Sequence, residues 1–154
     1  MKYPIGIQSF ERIIEDGYVY VDKTHLIYDL THSGSIYFLS RPRRFGKSLL
    51  VSTLENYYLG RKELFKGLAM EKLEKEWNVH PVFHVDFNGA NFTKEGVLET
   101  MLEDYVNKWE KQYGLHTNRE LETGLRFRDV LKSAHEQTGH RAVVLIDEYD
   151  KPIL

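Results

Sequence analysis

The chain has 154 residues, which is enough for one compact domain with a hydrophobic core. Hydrophobic residues make up 42% and charged residues 29%, a balance that excludes an intrinsically disordered chain. The formal net charge of −2 argues against a globally basic nucleic-acid binder, and the absence of cysteine excludes disulfides and thiolate metal sites. No apolar run approaches the roughly 20 residues of a membrane span, and no signal peptide is recognisable. We therefore expect a cytoplasmic protein.

The first 34 residues are predicted to contain two short helices and one strand. The first helix is expected to end at Gly17, and residues 18–21 (YVYV) have the composition of a short strand. Asp22 is placed to cap a second helix that ends at Gly34. Three apolar residues are predicted to share the inner face of this helix: Leu26, Ile27 and Leu30.

A strand and a helix are predicted on either side of the next loop. Residues 35–40 (SIYFLS) form a nearly continuous apolar run, which is typical of a strand covered on both faces in a parallel sheet. Residues 47–60 are predicted to form a helix that Gly60 closes, and residues 61–77 to form short helices. The inner face of the longer helix is predicted to carry Leu50, Leu54 and Tyr57.

The second half of the chain is predicted to place two helices between two strands. The strands are residues 81–87 (PVFHVDF) and the apolar run 141–147 (RAVVLID). The helices are residues 93–114, with Thr93 as the cap, and residues 125–139. Their predicted inner faces carry Leu98, Met101, Leu102, Tyr105 and Trp109 in the first and Val130, Leu131 and Ala134 in the second. Strands that alternate with helices predict an α/β fold with a parallel or mostly parallel sheet flanked by helices.

Residues 41–48 (RPRRFGKS) carry the first pattern with chemical meaning. Phosphate-binding loops follow the pattern G-x-x-x-x-G-K-S/T between a strand and a helix. Gly46, Lys47 and Ser48 match its last three positions, where backbone N–H groups, the helix N-terminus and the lysine bind phosphate. An ordinary helix start with solvated Lys47 and Ser48 is the alternative on this tripeptide alone.

The front of this loop departs from the pattern. Arg41 stands where the first glycine is expected, and Pro42 is predicted to fix a stiffer path for the backbone. The loop length is preserved, so the final tripeptide keeps its register. Arg43 and Arg44 add local positive charge, which favours a polyphosphate ligand.

Residues 143–148 (VVLIDE) form the second pattern, an apolar strand that ends in Asp147 and Glu148. In phosphate-loop triphosphatases an acidic residue at this place holds Mg²⁺, and a neighbouring glutamate polarises the attacking water. The plain alternative is a buried strand that reaches the surface at two acidic residues. Both patterns occur in the right order at strand C-terminal ends, which favours a nucleotide site at that edge of the sheet.

The sequence resembles the AAA-ATPase-like family of bacterial proteins, a branch of the phosphate-loop ATPases. The segments that carry the resemblance run along nearly the whole chain: YPIGIQSFERI, GYVYVDKT, YFLSRPRRFGKSLLVSTL, ELFKGL, PVFHVDF and VVLIDEYDKPI. In this family the arginine-rich loop is the usual form. The resemblance implies a P-loop fold that binds ATP, with a Walker A loop at 41–48 and a Walker B strand at 143–148.

The resemblance also implies a set of site residues. Mg²⁺ is expected at Ser48 and Asp147, with Glu148 as the water-activating residue and Lys47 as the catalytic lysine. The expected ATP-binding residues are Arg43, Arg44, Phe45, Gly46, Lys47, Ser48 and Leu49.

The chain is expected to be the N-terminal part of a longer protein. It stops in the apolar segment 143–154, whereas domains usually end in polar tails, and family members often carry a C-terminal nuclease-like domain. The sheet of residues 1–154 is then incomplete at the C-terminus. Triphosphatases of this kind usually place a polar sensor on a further strand and often need an arginine from a partner or a later domain. Neither can be identified before Leu154, so we expect weak or no turnover from this part alone. Open sheet edges invite pairing, so association into a homo-oligomer is also expected as one possibility.

The sequence is also compatible with two other functions. One is a nucleotide-gated regulatory or interaction module with little hydrolysis. The other is binding of nucleic-acid phosphates by the basic loop, which ranks lower because the basic cluster is small and the chain is slightly acidic.

Several polar residues outside the two patterns have structural interpretations. Lys23 belongs to a helix start, with a contact to bound phosphate as the alternative. Asp86 is predicted to cap the end of its strand rather than to contact the water shell of a metal. The seven histidines are expected to have structural or solvated roles.

Overall fold

The computed structural model describes residues 1–34 and 46–152, and the chain divides into two compact units, Met1–Val79 (unit 1) and His80–Leu154 (unit 2). The described residues confirm an α/β protein with helices and a small parallel sheet. The described elements of unit 1 are α1 (Phe10–Glu15), α2 (Thr24–Ser33), α3 (Lys47–Tyr58), a 3₁₀ helix (Lys62–Phe65) and α4 (Ala69–Leu73). Those of unit 2 are β1 (Val82–Asp86), α5 (Val97–Gln112), α6 (Thr123–Thr138) and β2 (Val143–Asp147).

Helix α1 forms where the sequence predicts it. The hydroxyl of Ser9 caps it by accepting a hydrogen bond from the backbone N–H of Arg12 at 3.2 Å, and the chain leaves the helix at Gly17 with φ of 71°. Phe10 is fully buried in the core of unit 1, and the α1 residue Ile13 is also fully buried. The buried residues of this core are Phe10, Ile27, Tyr57, Leu64, Phe65 and Met70.

The predicted strand at residues 18–21 is wrong. Tyr18 makes a single parallel bridge to Lys2, and the backbone N–H of Val19 donates to the carbonyl of Lys2 at 2.7 Å. The pairing stops because the neighbouring segment bends, with the N–H of Ile5 bonded to the carbonyl of Tyr3. Aromatic and β-branched content favours a strand only where a straight partner continues beside it.

The inner face of α2 also differs from its prediction. Leu26 is 55% exposed, whereas Thr24 and Ile27 are buried. The helix buries the stripe through Thr24 and Ile27, at three-residue spacing, and Leu26 lies beside that stripe. The buried position that the apolar pattern predicts for Leu26 is thus occupied by Thr24, which is hydrogen-bonded inside unit 1.

Helix α3 and the segment after it match the predictions. Leu50, Leu54 and Tyr57 all pack in the core of unit 1, and the helix is followed by Gly60 with φ of 71°. A β-carbon at Gly60 would lie 2.9 Å from the side chain of Val79, so only glycine fits this turn. The predicted short helices in residues 61–77 are the 3₁₀ helix and α4.

The carboxylate of Glu74 ties α2 to α3 within unit 1. The hydroxyl of Tyr57 donates a hydrogen bond to Glu74 Oε2, and Nε2 of His32 lies 3.6 Å from the same oxygen. Burial favours the protonated form of Glu74, but the hydrogen bonds from Tyr57 and from backbone N–H groups, together with His32, outweigh it and lower the pKa of this carboxyl.

Replacing Glu74 with glutamine is expected to lower the free energy of unfolding by about 1–3 kcal/mol at pH 7. Because the folded-state pKa is lowered, the carboxylate stabilises the fold above its unfolded pKa of about 4.3. This stabilisation is lost as pH falls through the folded-state pKa, so wild type and variant should converge in acid. Urea unfolding at several pH values measures this, with the exposed Glu76→Gln as the control. A pH-independent gap would contradict the role of the charge.

Unit 2 is built on two parallel strands, β1 and β2, as predicted. Their register pairs Val82 with Val143 and Asp86 with Asp147, so both strands end at the same edge. Helices α5 and α6 pack against the sheet, and the predicted inner faces of both helices are confirmed. The buried core of unit 2 consists of Phe83, Val85, Phe87, Val106, Trp109, Val130 and Ala134.

Two details of unit 2 differ from the predictions. Helix α5 begins at Val97 after Gly96, because the N–H and hydroxyl of Thr93 both bond to the side chain of Asn91 in the preceding turn. Strand β2, which its apolar run predicts to be buried, is also partly exposed. Within the described residues Val144 is 39% exposed and Ile146 50% exposed.

Candidate functional site

The first turn of α3 holds the part of the predicted phosphate site that lies in unit 1. Gly46 is the N-cap, with φ of 80° and ψ of 13°, a left-handed conformation that glycine adopts without steric cost. Its carbonyl accepts the first helical hydrogen bond, from the N–H of Leu50 at 2.9 Å. Lys47 and Ser48 therefore occupy the first two helical positions, as the sequence pattern predicts.

The side chains of this turn are half-buried. Lys47, Ser48 and Leu49 all have intermediate exposure, and Leu49 packs against the core of unit 1. The hydroxyl of the buried Thr53 donates to the carbonyl of Leu49 at 2.7 Å, one turn further along the helix. Core packing on one side of α3 thus fixes the rotation of the helix that carries Lys47 and Ser48.

The N-terminus of α3 has an electrostatic character that suits an anion. In the described part of the chain, no side chain caps it and no acidic residue occupies its first turn. The N–H groups of a helix's first turn carry partial positive charge, which a bound anion can satisfy. The predicted strand 35–40 and the residues Arg41, Pro42, Arg43, Arg44 and Phe45 lie outside the described residues.

The carboxyl end of β2 holds the predicted acidic residues in unit 2. Asp147 is the last residue of the strand, and only 4% of its surface is exposed. One of its carboxylate oxygens accepts a hydrogen bond from the N–H of Glu148 at 2.9 Å. The carbonyl of Asp147 accepts from the N–H of Phe87 at 3.2 Å, which fixes the strand end against the residue that follows β1.

Glu148 has an unusual backbone conformation. Its φ is 57°, in the left-handed region that residues with a β-carbon enter at a cost of about 1–2 kcal/mol. The turn is closed by a hydrogen bond from the N–H of Lys151 to the carbonyl of Glu148 at 3.1 Å. Such conformations persist where the surroundings enforce them, and they concentrate at functional sites. The sequence pattern marks Glu148 by residue type, and the structure adds a strained backbone.

Asp86 lies beside Asp147 in the strand register and caps its own strand, as predicted. Its Oδ1 accepts a hydrogen bond from the N–H of Asn88 at 2.8 Å. The hydroxyl of Tyr105 on α5 accepts from the N–H of Asp86 at 3.1 Å, so a helix holds this strand end in place. Two carboxylates therefore share the carboxyl edge of the sheet in unit 2.

The described residues also bear on the metal hypothesis. Across residues 1–34 and 46–152, no group of three or more His, Asp or Glu side chains is arranged to hold a metal ion. Mg²⁺ bound with a nucleotide needs one or two protein ligands, since phosphate oxygens and water complete its shell. A hydroxyl such as that of Ser48 and a carboxylate such as that of Asp147 are chemically suited to it.

Backbone carbonyl oxygens lie next to ring nitrogens of His32, His80 and His135, in line with structural roles for these three histidines. Nδ1 of His80 lies 2.9 Å from the carbonyl oxygen of Arg141. Nδ1 of His135 lies 2.9 Å from the carbonyl oxygen of His140, in the turn after α6.

A buried ion pair in unit 2 escapes the sequence patterns. Arg126 and Glu110 are each only 3% exposed, and Nη2 of Arg126 lies 2.5 Å from Oε1 of Glu110. A signal for them exists in the spacing. Arg126 lies four residues before the buried Val130, and Glu110 four residues after the buried Val106. Both charges therefore fall on the inner stripes of their helices.

A family model described as "Predicted AAA-ATPase" matches residues 4–154. The chain belongs to the AAA-ATPase-like family. A curated relative is the "Uncharacterized protein in vnfD 5'region" of Azotobacter chroococcum mcd 1, 42% identical over 154 residues. The match covers 99% of this chain and 30% of the relative. No solved structure matches.

The family assignment confirms the resemblance read from the sequence. This AAA-ATPase-like chain spans less than a third of the length of the curated relative that it matches. Its longest described helices, α5 and α6, have 16 residues each, and none in the described part reaches the length and apolarity of a membrane span.

Proposed function

We propose that the chain is the nucleotide-binding part of a phosphate-loop ATPase domain, which binds Mg-ATP and hydrolyses it in the full-length protein. The observation that carries the proposal is the first turn of α3, where Gly46 adopts a left-handed conformation directly before Lys47 and Ser48. A helix N-terminus with these residues is suited to a polyphosphate. The parallel register of β1 and β2, with acidic residues at their carboxyl ends, is compatible with a P-loop-like sheet.

The chemistry at the phosphates follows from the residue types. Lys47 and the N–H groups of the first turn would bind the β- and γ-phosphates and stabilise the charge that develops on transfer. Ser48 and Asp147 would bind Mg²⁺, which neutralises the phosphate oxygens. Glu148 would orient a water molecule for in-line attack and accept its proton. Arg43 and Arg44 would add positive charge around the phosphates.

The nucleic-acid alternative differs from the proposed function in how the affinity depends on salt. Nucleic acid bound through phosphates loses affinity steeply as salt rises, because counterions are released. Mg-ATP in a phosphate loop depends less on salt. The formal net charge of −2 supports the nucleotide, since binding to a nucleic-acid backbone generally uses a broad basic surface.

The experiment is a calorimetric titration of Mg-ATP into wild type and the Lys47→Ala variant. Loss of a charge-assisted hydrogen bond of about 1.5–3 kcal/mol should weaken binding about 10- to 150-fold. Lys66→Ala is the matched control, because Lys66 is an exposed lysine of the same unit, outside the first turn of α3. Equal affinities of wild type and Lys47→Ala would reject the site.

A further inference from the structure

The segment Asp22–Lys23–Thr24 reaches a helix that begins 45 residues later. Oδ1 of Asp22 accepts hydrogen bonds from the N–H of Thr24 at 2.9 Å and from its hydroxyl at 2.6 Å. Oδ2 of Asp22 accepts from the N–H of Ala69 at 2.7 Å, and the hydroxyl oxygen of Thr24 accepts from the N–H of Met70 at 2.9 Å. Two side chains at the start of α2 therefore bind the first two N–H groups of α4.

These contacts do for α4 what a local cap does for most helices. The N-cap of α4 is Leu68, whose apolar side chain has no acceptor for the N–H groups of the first turn. Thr24 and Met70 are both fully buried, so water does not reach this bond. Without Thr24 the N–H of Met70 would be buried and unsatisfied.

The electrostatics of Asp22 agree with this role. Its burial favours the protonated form, but the hydrogen bonds from Thr24 and Ala69, with a contribution from His25, lower the pKa of Asp22. The carboxylate is thus held in the charged form that accepts these hydrogen bonds. Lys23, between the two capping residues, has an exposed side chain.

The far end of α2 is held by Glu74, the residue that follows α4. Glu74 accepts a hydrogen bond from Tyr57 of α3 and pairs with His32 in the last turn of α2. Helix α2 ends at Ser33 and α3 begins at Lys47, so these are the helices on either side of the loop predicted to bind phosphate. Helix α2 is therefore held at both ends, by Asp22 and Thr24 at its start and by Glu74 at its last turn.

We propose that Asp22 and Thr24 are positioning residues of the nucleotide site, while Lys23 does not contact the nucleotide. They hold α2 against α4, and Glu74, directly after α4, bonds to Tyr57 of α3, the helix whose first turn carries Lys47 and Ser48. This inference rests on the proposed ATP site. Asp22 and Thr24 of the DKT segment thus cap helix α4, which is distant from them in the sequence.

The first test needs no nucleotide. Amide hydrogen exchange is measured in wild type, Asp22→Asn, Thr24→Val, Thr24→Ser and Lys23→Ala. In Thr24→Val the amide of Met70 should exchange about 10- to 100-fold faster, because its acceptor is gone. Thr24→Ser keeps the hydroxyl and should restore protection, and Lys23→Ala should match wild type. Unchanged protection of Ala69 in Asp22→Asn and of Met70 in Thr24→Val would overturn the capping role.

The second test is Mg-ATP affinity of the same variants, at a temperature where each is folded. Thr24→Val and Asp22→Asn should bind at least about tenfold more weakly, with Thr24→Ser close to wild type. Weaker binding in Lys23→Ala with normal binding in Thr24→Val would overturn the proposal, because the segment would then touch the ligand. If wild type binds no ATP, the proposed function fails while the exchange experiment still decides the capping role.

Discussion

Replacing Arg126 with alanine is expected to destabilise unit 2 by about 3–5 kcal/mol, the largest stability effect we predict for a polar residue. The guanidinium lies between α5 and α6 and is 3% exposed. Nη2 lies 2.5 Å from both Oε1 of Glu110 and Oδ1 of Asn107, and Nη1 lies 3.3 Å from Oε1 of Glu103. Alanine would leave the carboxylate of Glu110 buried without its counter-charge.

The expected loss of stability comes from leaving a charge buried without a partner rather than from the strength of the ion pair itself. The hydrogen bond to Glu110 favours the charged form of Arg126 and raises its pKa, against the opposing effect of burial. Removal of one partner forces the other to stay buried as an unpaired ion or to take up a proton. Replacement of both by apolar residues, as in Arg126→Met with Glu110→Leu, should recover most of the lost stability.

The control is Arg128, two residues further along α6. Its side chain is 72% exposed, and its Nε lies 3.8 Å from the carboxylate of Asp129. Arg128→Ala should change the free energy of unfolding by less than about 0.5 kcal/mol. Urea unfolding of the three variants measures the differences. Equal losses in Arg126→Ala and Arg128→Ala would contradict the assignment of a buried, uncompensated charge.

Arg126 also shows where sequence patterns reach their limit. The apolar stripes of α5 and α6 predict the buried faces correctly, because apolar residues recur at three- or four-residue spacing within each helix. These residues are Leu98, Met101 and Tyr105 in α5 and Val130 and Ala134 in α6. For a charged residue on such a stripe, the residue type predicts an exposed side chain, whereas the position in the helix predicts a buried one. Only the structure, by bringing Glu110 opposite Arg126, decides for the core.

The two errors near the N-terminus have the same physical origin. The YVYV segment has strand composition, yet its neighbour bends after Lys2 and pairing ends at one bridge. Leu26 is apolar but exposed, because the face of α2 that carries Thr24 and Ile27 is buried instead. The hydroxyl of Thr24 accepts a buried hydrogen bond from α4, which favours this orientation of the helix. Strand pairing and long-range caps depend on residues far away in the sequence, which local propensity does not register.

The candidate site is predictable where it depends on spacing within one element. The pattern places Gly46, Lys47 and Ser48 at a helix start and Asp147 at a strand end, and the structure has both. The left-handed backbone of Glu148 is not predictable, since glutamate carries no preference for it. That conformation is visible only in the folded chain.

Glu148→Gln is expected to lower the rate of ATP hydrolysis about 10²- to 10⁴-fold, the range that a general base contributes. The affinity for Mg-ATP should stay within about threefold of wild type, because in the proposed site groups other than Glu148 bind the ground-state phosphates. The measurements are single-turnover hydrolysis and calorimetric binding on the full-length protein. Glu136→Gln, an exposed glutamate on α6, is the control and should hydrolyse ATP like wild type.

Binding without hydrolysis in wild type would instead favour the nucleotide-gated module. In that case Glu148→Gln should match wild type in both measurements.

The backbone of Glu148 allows a sharper experiment. Glutamine keeps the β-carbon and hence the strain at φ of 57°, so Glu148→Gln should leave the free energy of unfolding nearly unchanged. Glycine adopts this φ without steric strain, so the substitution removes a backbone strain of about 1–2 kcal/mol. This gain exceeds the smaller cost of a more flexible unfolded chain. Glu148→Gly should therefore be as stable as wild type or more stable, yet as slow as Glu148→Gln in hydrolysis. A glycine variant that is clearly less stable than wild type would contradict the prediction, because the side chain of Glu148 would then stabilise the turn by more than its backbone conformation costs.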